Sequence, residues 1–392
     1  YVAKQNSSTE VELYATEFFP QSGTVNRRLS GPMVTGGGVG SSFQWSPDST
    51  QIAYLANQDL IDAVDLYASN RNGQGNHLVS TALTSGHQVE QFAWAPDSSR
   101  IAYLSNDNAQ TLRHLFSALP DGTGTVQLSG TGPSDQVSLS PQFAWAPDSS
   151  RVAYTEFATA GRDLFTALPT GGGSVKASGP MIAGADVSAF SWAPDSSRIA
   201  YTATQDSLSV LGLYTSLPDG TGNVALTPPA VIKQAGGSFN VAAHSWAPDS
   251  SRILYKANQD TFTAFELYTV LPDGTGNAKV NGPLAVALVQ AFSWAPDSAR
   301  IAYLATQETP GVFELYTSLP DGTGNVKVNG PLIAGKKVSN FLWAPDGAHL
   351  AYTANQDSAT SSALYRALPA GGGTLKLSGP LLPFNGPTLY VW

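Results

Sequence analysis

Hydrophobic and polar positions along this chain alternate with a period of two, in short runs closed by Gly, Pro, Asp and Ser. The stretch from Ala291 to Asn329 shows the pattern once through. "AFSW" (Ala291 to Trp294) reads as strand A and "APDSAR" as its turn. "IAYLA" (Ile301 to Ala305) reads as strand B, with Ile301 and Tyr303 on one face and Ala302 on the other. Strand C is "VFELYT" (Val312 to Thr317), and strand D is "NVKVN" (Asn325 to Asn329). Between them lies "LPDGTG", in which Pro presets φ for the first corner and Gly supplies positive φ. No segment has the 3.6-residue period of an amphipathic helix, so the pattern predicts strands throughout.

The phrase repeats. A Trp two residues after an aromatic anchors strand A at Trp45, Trp94, Trp145, Trp192, Trp246, Trp294, Trp343 and Trp392, at spacings of 49, 51, 47, 54, 48, 49 and 49 residues. A Tyr anchors strand B at Tyr1, Tyr54, Tyr103, Tyr154, Tyr201, Tyr255, Tyr303 and Tyr352. The 392 residues therefore divide into eight units averaging 49. A period of 40–50 with four strand-like runs per unit is the signature of a β-propeller. The expected fold is all-β: a single eight-bladed β-propeller over residues 1–392, built of four-stranded antiparallel blades. The chain opens at a strand B and ends at a strand A, "LYVW" (Leu389 to Trp392). The expectation is that this last strand pairs with the N-terminal strands in one composite blade from 1–34 and 386–392, closing the ring.

"WAPDSSRIAY", followed by "ELYT" and "PDGTG", resembles the TolB-like propeller repeat family over essentially the whole chain. The resemblance implies a propeller, and for TolB itself one that docks protein partners in the bacterial envelope. Similar repeats also form the propellers that cover dipeptidyl-peptidase hydrolases. Those enzymes need an α/β-hydrolase domain with a G-x-S-x-G elbow, and this sequence has no such elbow.

Composition narrows the field. Charged residues are 12% of the chain, and Gly (38) and Pro (26) are plentiful, as many short strands joined by tight turns require. A net charge of −9 without any basic run excludes a nucleic-acid footprint. No apolar stretch approaches a membrane span, and no signal peptide is visible in this numbering. Without Cys there is no disulfide, thiolate metal site or Cys nucleophile. The low-charge, thiol-free composition points to an extracytoplasmic protein, periplasmic or secreted.

Placing polar residues on the repeat sorts the candidate chemistry. The Asp of "PD", with Arg three residues on, reads as a turn-former with a local partner. The "N/T-Q-D/E" phrase after strand B offers carboxylates that would serve as weak Ca²⁺ sites, at Asp59, Asp206, Asp260 and Asp357. The five histidines scatter over the repeat: His77, His114, His244 and His349 on or beside strands, and only His87 just before a strand A. No zinc-type cluster is expected from that scatter.

The A–B and C–D turns are near-constant, whereas the D–A loops differ from unit to unit. Where a repeat breaks its pattern on one face, function is expected there. Residues just before strand A would ring the channel mouth: His87, Glu90, Gln91, Gln142, Asp186, Asn240, Gln290, Lys337 and Asn340. The regular blades and missing catalytic motifs lead to the expectation of a non-catalytic scaffold or assembly subunit, binding a protein partner or itself through this face, with no cofactor. The alternative is an enzyme, or a small-ligand or polysaccharide-binding propeller, with a polar site in the central funnel.

Overall fold

Strand B is built from β-branched, aromatic and small residues that fit a pleated, fully buried surface. In the computed structural model the strand-B tyrosines Tyr54, Tyr103, Tyr154, Tyr201, Tyr255, Tyr303 and Tyr352 are indeed completely buried. The structure describes residues 1–392 except 7–8, 20–22, 107–111, 131–135, 139–142, 159–160, 228–238, 262, 285–287 and 380–392. The described residues form an all-β protein with no helix. They divide into two compact units, residues 1–192 with 216–223, and residues 193–215 with 224–392.

The first unit opens with a three-stranded antiparallel sheet, Val2–Ala3, Glu12–Phe19 and Gly23–Arg28. Two four-stranded antiparallel sheets follow: Val39–Trp45, Gln51–Ala56, Asp65–Asn70 and His77–Leu78, then Val89–Trp94, Ile101–Ser105, His114–Ala118 and Val126–Gln127. The next group holds Phe143–Trp145, Val152–Ala158, Gly161–Ala167 and Val175–Lys176. The second unit has three complete sheets of the same kind, whose first strands are Val241–Trp246, Val289–Trp294 and Val338–Trp343. Strands A to D of the repeat from Ala291 to Asn329 are all present, and strand D is short. The closing segment 386–392 lies outside the described residues.

Each strand-B ring stacks on the strand-C ring opposite it. Eight such pairs occur, from Tyr1–Tyr14 to Tyr352–Tyr365, with centroids 5.3 to 5.8 Å apart. Stacked pairs of this kind contribute about 0.5–1.5 kcal/mol each beyond the area they bury.

Within each unit, successive sheets are fastened by the same few hydrogen bonds. The strand-A indole donates to the carbonyl one residue before the preceding repeat's Trp: Trp94 to Gln44, Trp145 to Ala93 and Trp192 to Ala144, each at 3.1 Å, and Trp294 to Ser245 at 3.3 Å. In the A–B turn the first Ser of "PDS" takes a left-handed conformation, with φ near 60° at Ser49, Ser98, Ser149, Ser196, Ser250 and Ser298. That conformation costs an L-residue roughly 1–2 kcal/mol. Its hydroxyl repays it by accepting the backbone N–H of the preceding turn's Asp, as in Asp97 to Ser149 and Asp249 to Ser298, both 3.0 Å. The glycine of "PDG" in the C–D turn is fixed by close approach as well as by φ. A Cβ on Gly322 would stand 2.0 Å from the carbonyl oxygen of Lys279.

A third fastening explains the "N/T-Q-D/E" phrase. Burial pushes the Tyr303 hydroxyl up to about 12, so it stays a donor at neutral pH. It donates to Gln307 Oε1 at 2.8 Å, and the Gln307 amide bonds Asn325 at 3.1 Å. Gln307 Oε1 also accepts the Gly282 N–H of the preceding repeat, at 2.7 Å. The Gln of the phrase is thus a clamp on a buried hydroxyl, which a dry interior requires.

Candidate functional site

The ladder between strands A and B slips by one residue at the start of strand A. Val89 pairs with Ser105 and Gln91 with Leu104, which leaves Glu90 out as a bulge. Ala242, Gln290 and Ser339 are left out the same way in the second unit. In Val39–Trp45 the slip is wider and leaves Gly40, Ser41 and Ser42 between the pairs Val39–Ala56 and Phe43–Tyr54. Bulges re-aim side chains and are common beside active sites.

The Glu90 bulge meets Arg113, which precedes strand C of its own sheet. Arg113 Nε donates to Glu90 Oε2 at 2.8 Å, with the two side chains 30% and 13% exposed. The pair lines a cleft of about 580 Å³ together with Ser41, Ser42, Gln88 and Gln91. A smaller hollow of about 320 Å³ continues from it, sharing Ser42, Glu90 and Gln91 and adding the rings of Phe43, Phe92 and Phe143. Gln91 Oε1 is buried without a hydrogen-bond partner among the described residues. The Gln88 N–H is held by Asn106 Oδ1 at 2.6 Å. The result is a concave site with a half-buried ion pair, several hydroxyl and amide groups, and aromatic walls, the usual make-up of a small-ligand site.

Of the residues expected at the channel mouth, the structure brings Glu90 and Gln91 together in this cleft. His87 is not among the lining residues; its Nδ1 lies 3.0 Å from Thr84 Oγ1. Asp186 is half-buried and accepts the Arg162 N–H at 2.9 Å. Asn240, Gln290, Lys337 and Asn340 belong to the second unit. There the Asn240 N–H donates to Asn258 at 2.7 Å, and Lys337 Nζ sits 6.0 Å over the Phe313 ring. Gln290 and Asn340 are exposed. Gln142 lies outside the described residues.

Sequence reasoning missed Arg113, Gln88, Ser41 and Ser42. A signal for Arg113 was present: five other repeats have Val11, Val64, Leu211, Phe265 and Phe313 at its place and one has Ser362, so an Arg breaks a mostly apolar position. Arg162 breaks it too, and donates to Ser138 Oγ at 3.1 Å.

The Ca²⁺ candidates have protein partners. Asp59 and Asp206 each accept a strand-C tyrosine hydroxyl, Tyr67 and Tyr214, at 3.0 Å. Asp260 pairs with Lys279 at 3.1 Å, and Asp357 with Lys376 at 3.0 Å. No group of three or more His, Asp or Glu placed to hold a metal occurs among the described residues. No helix among them is long and apolar enough to cross a membrane.

No family model matches this chain, and no curated protein does. Solved structures do. Dipeptidyl peptidase 4 of Porphyromonas gingivalis is 12% identical over 91% of this chain and 57% of its own, with a TM-score of 0.58. A prolyl endopeptidase is 13% identical over 88% of this chain and 50% of its own, with a TM-score of 0.44. An oligogalacturonate lyase solved with manganese is 13% identical over 91% and 96%, also at 0.44. The chain thus spans about half the length of the two peptidases.

Dipeptidyl peptidase 4, at a TM-score of 0.58, is an enzyme, and that corrects the expectation of a non-catalytic scaffold subunit and the reading of the chain as more a binding protein than an enzyme. The physical reason lies in the fold. Regular sheets fastened by repeated bonds serve catalytic proteins as well as inert ones. A sequence without a catalytic motif says little when bulges bring distant residues together. At such identities the likeness speaks for architecture alone: this chain is an all-β protein of the β-propeller type.

Proposed function

We propose that this chain is the propeller of an enzyme, and that a small polar, hydroxyl-bearing substrate occupies the Glu90–Arg113 cleft. The observation that carries this reading is asymmetry. At the bulge position where one repeat has Glu90, three others have Ala242, Gln290 and Ser339. The Glu90 carboxylate is the group for acid–base work, Arg113 orients it, and the Ser41, Ser42 and Gln88 side chains meet substrate hydroxyls. The Phe43, Phe92 and Phe143 rings offer flat apolar faces to the C–H faces of a saccharide ring. We place the protein outside the cytoplasm, in keeping with its composition.

The test is a substrate screen with short oligosaccharides and peptides on the wild type and on Glu90→Gln. A turnover that falls at least about a hundredfold in the variant supports the reading, in line with the usual worth of a general acid–base group. Turnover indifferent to Glu90 rejects it.

The same reading extends to the ring. We infer eight four-stranded blades in one closed propeller, residues 386–392 supplying the fourth strand of the N-terminal sheet. What supports this is that sheet's three strands and the exposure of Trp45, at 40%, where Trp94, Trp145 and Trp192 are buried. Deleting 386–392 should lower the melting temperature by several degrees, since one removed edge strand costs a few kcal/mol. An unchanged melting curve rejects closure.

A further inference from the structure

Arg113 uses its guanidinium on one side only. Nε is taken by Glu90 at 2.8 Å, while neither Nη has a hydrogen-bond partner among the described residues. Most other arginines spend an Nη on the protein. Arg100 donates its Nη2 to Gly124 O at 2.6 Å, Arg151 to Gly173 O at 2.7 Å and Arg300 to Gly324 O at 2.7 Å. Arg113 therefore presents a braced, planar, two-pronged donor edge to a cleft that it lines. Gln91 lines the same cleft, and its Oε1, buried beneath that surface, lacks a donor among the described residues.

The two deficits are complementary to one kind of ligand. An anion with two coplanar oxygens satisfies the Nη edge, and a neighbouring O–H or N–H satisfies Gln91. Guanidinium and carboxylate match in this bidentate way, with each charge-assisted bond shorter and stronger than a neutral one. Glu90 does not compete for that edge, because it occupies the Nε side. Bracing from that side keeps the guanidinium from having to be ordered when the ligand arrives.

Resting on the reading of this cleft as the substrate site, we propose that the substrate is a small carboxylate carrying a hydroxyl or amide donor beside the acid group, held by Arg113 and Gln91. Such a carboxylate comes from an acidic sugar or from a peptide C-terminus. The assay has an arm for each.

The experiment is calorimetric titration of the full chain with matched acids and amides: glucuronate against glucuronamide, and N-acetyl-dialanine against its C-terminal amide. Wild type, Arg113→Gln, Arg113→Lys and Gln91→Leu are compared, with melting curves to confirm that each variant folds. The acid of one arm is expected to bind at least about tenfold tighter than its amide, the fold-change of one charge-assisted bond. That preference should vanish in Arg113→Gln and largely vanish in Arg113→Lys, which keeps charge but loses the fork. Gln91→Leu should weaken acid and amide alike.

Equal binding of acid and amide, lost on Gln91→Leu, overturns the carboxylate and leaves the cleft reading standing. An acid preference that survives Arg113→Gln overturns the role of Arg113. No binding by any of the four ligands overturns the proposal; if the Glu90-dependent turnover is then found with a neutral substrate, the cleft reading survives alone.

Discussion

Trp94 donates its indole N–H to the backbone carbonyl of Gln44, 3.1 Å away and 50 residues earlier. The corresponding donor of Trp343 is buried without a partner among the described residues. The two positions form a built-in comparison. Trp94→Phe removes a made bond and leaves the Gln44 carbonyl unsatisfied, so it should destabilise by about 1 kcal/mol more than Trp343→Phe, which removes an orphan donor. Chemical denaturation of both variants measures the difference. Equal losses would mean that ring volume, not the hydrogen bond, decides.

His244 stands where other repeats carry Phe, and burial pushes its imidazole down to about 4. Its folded value lies below its unfolded one, so the unfolded chain takes up the proton first as pH falls. Stability should therefore be full above about pH 6.5 and decline towards pH 4, by roughly 2–3 kcal/mol at most. His244→Phe should flatten that slope. Urea midpoints at pH 7, 5.5 and 4.5 decide it, and an unchanged slope in the variant points to carboxylates instead.

Ser250 accepts the Asp195 N–H at 3.0 Å while holding a φ of 63°. Ser250→Ala keeps the strain and loses the acceptor, and should cost about 1–2 kcal/mol. Ser250→Gly loses the acceptor but relieves the strain, and should cost less. Thermal melts of the two variants should rank them in that order, and the reverse ranking would assign the Ser to something other than this joint.

Millimolar Ca²⁺ should leave the melting temperature within a degree or so of its value in chelator, because binding stabilises only in proportion to affinity. Asp59, Asp206, Asp260 and Asp357 each already serve a Tyr hydroxyl or a Lys. A rise of several degrees would show that these carboxylates leave their partners for the ion.

The strands were readable in the sequence because Trp294 and Tyr303 recur at fixed places and the turns between them use residues with few alternatives. The cleft was half readable. Glu90 and Gln91 follow from the loop that precedes strand A, but Arg113 does not. It lies 23 residues away from Glu90, and the bulge that aims Glu90 at it depends on strand register, which periodicity alone does not set. The role of the Gln in "N-Q-D" was hidden for a related reason. That its carbonyl serves a buried Tyr hydroxyl appears only when the Tyr of strand B is placed beside it.

Because the A–B turn joint is split evenly, a typical repeat carries both of its halves: a Ser hydroxyl offered back and an Asp N–H offered forward. A gene segment copied once and inserted at a repeat boundary would arrive already able to join both neighbours, with no compensating change. That makes the number of repeats easy to alter by unequal recombination. It also makes an irregular joint visible. Gly347 stands where most other repeats have the Ser, and Trp343 in the same repeat has no carbonyl to hold among the described residues.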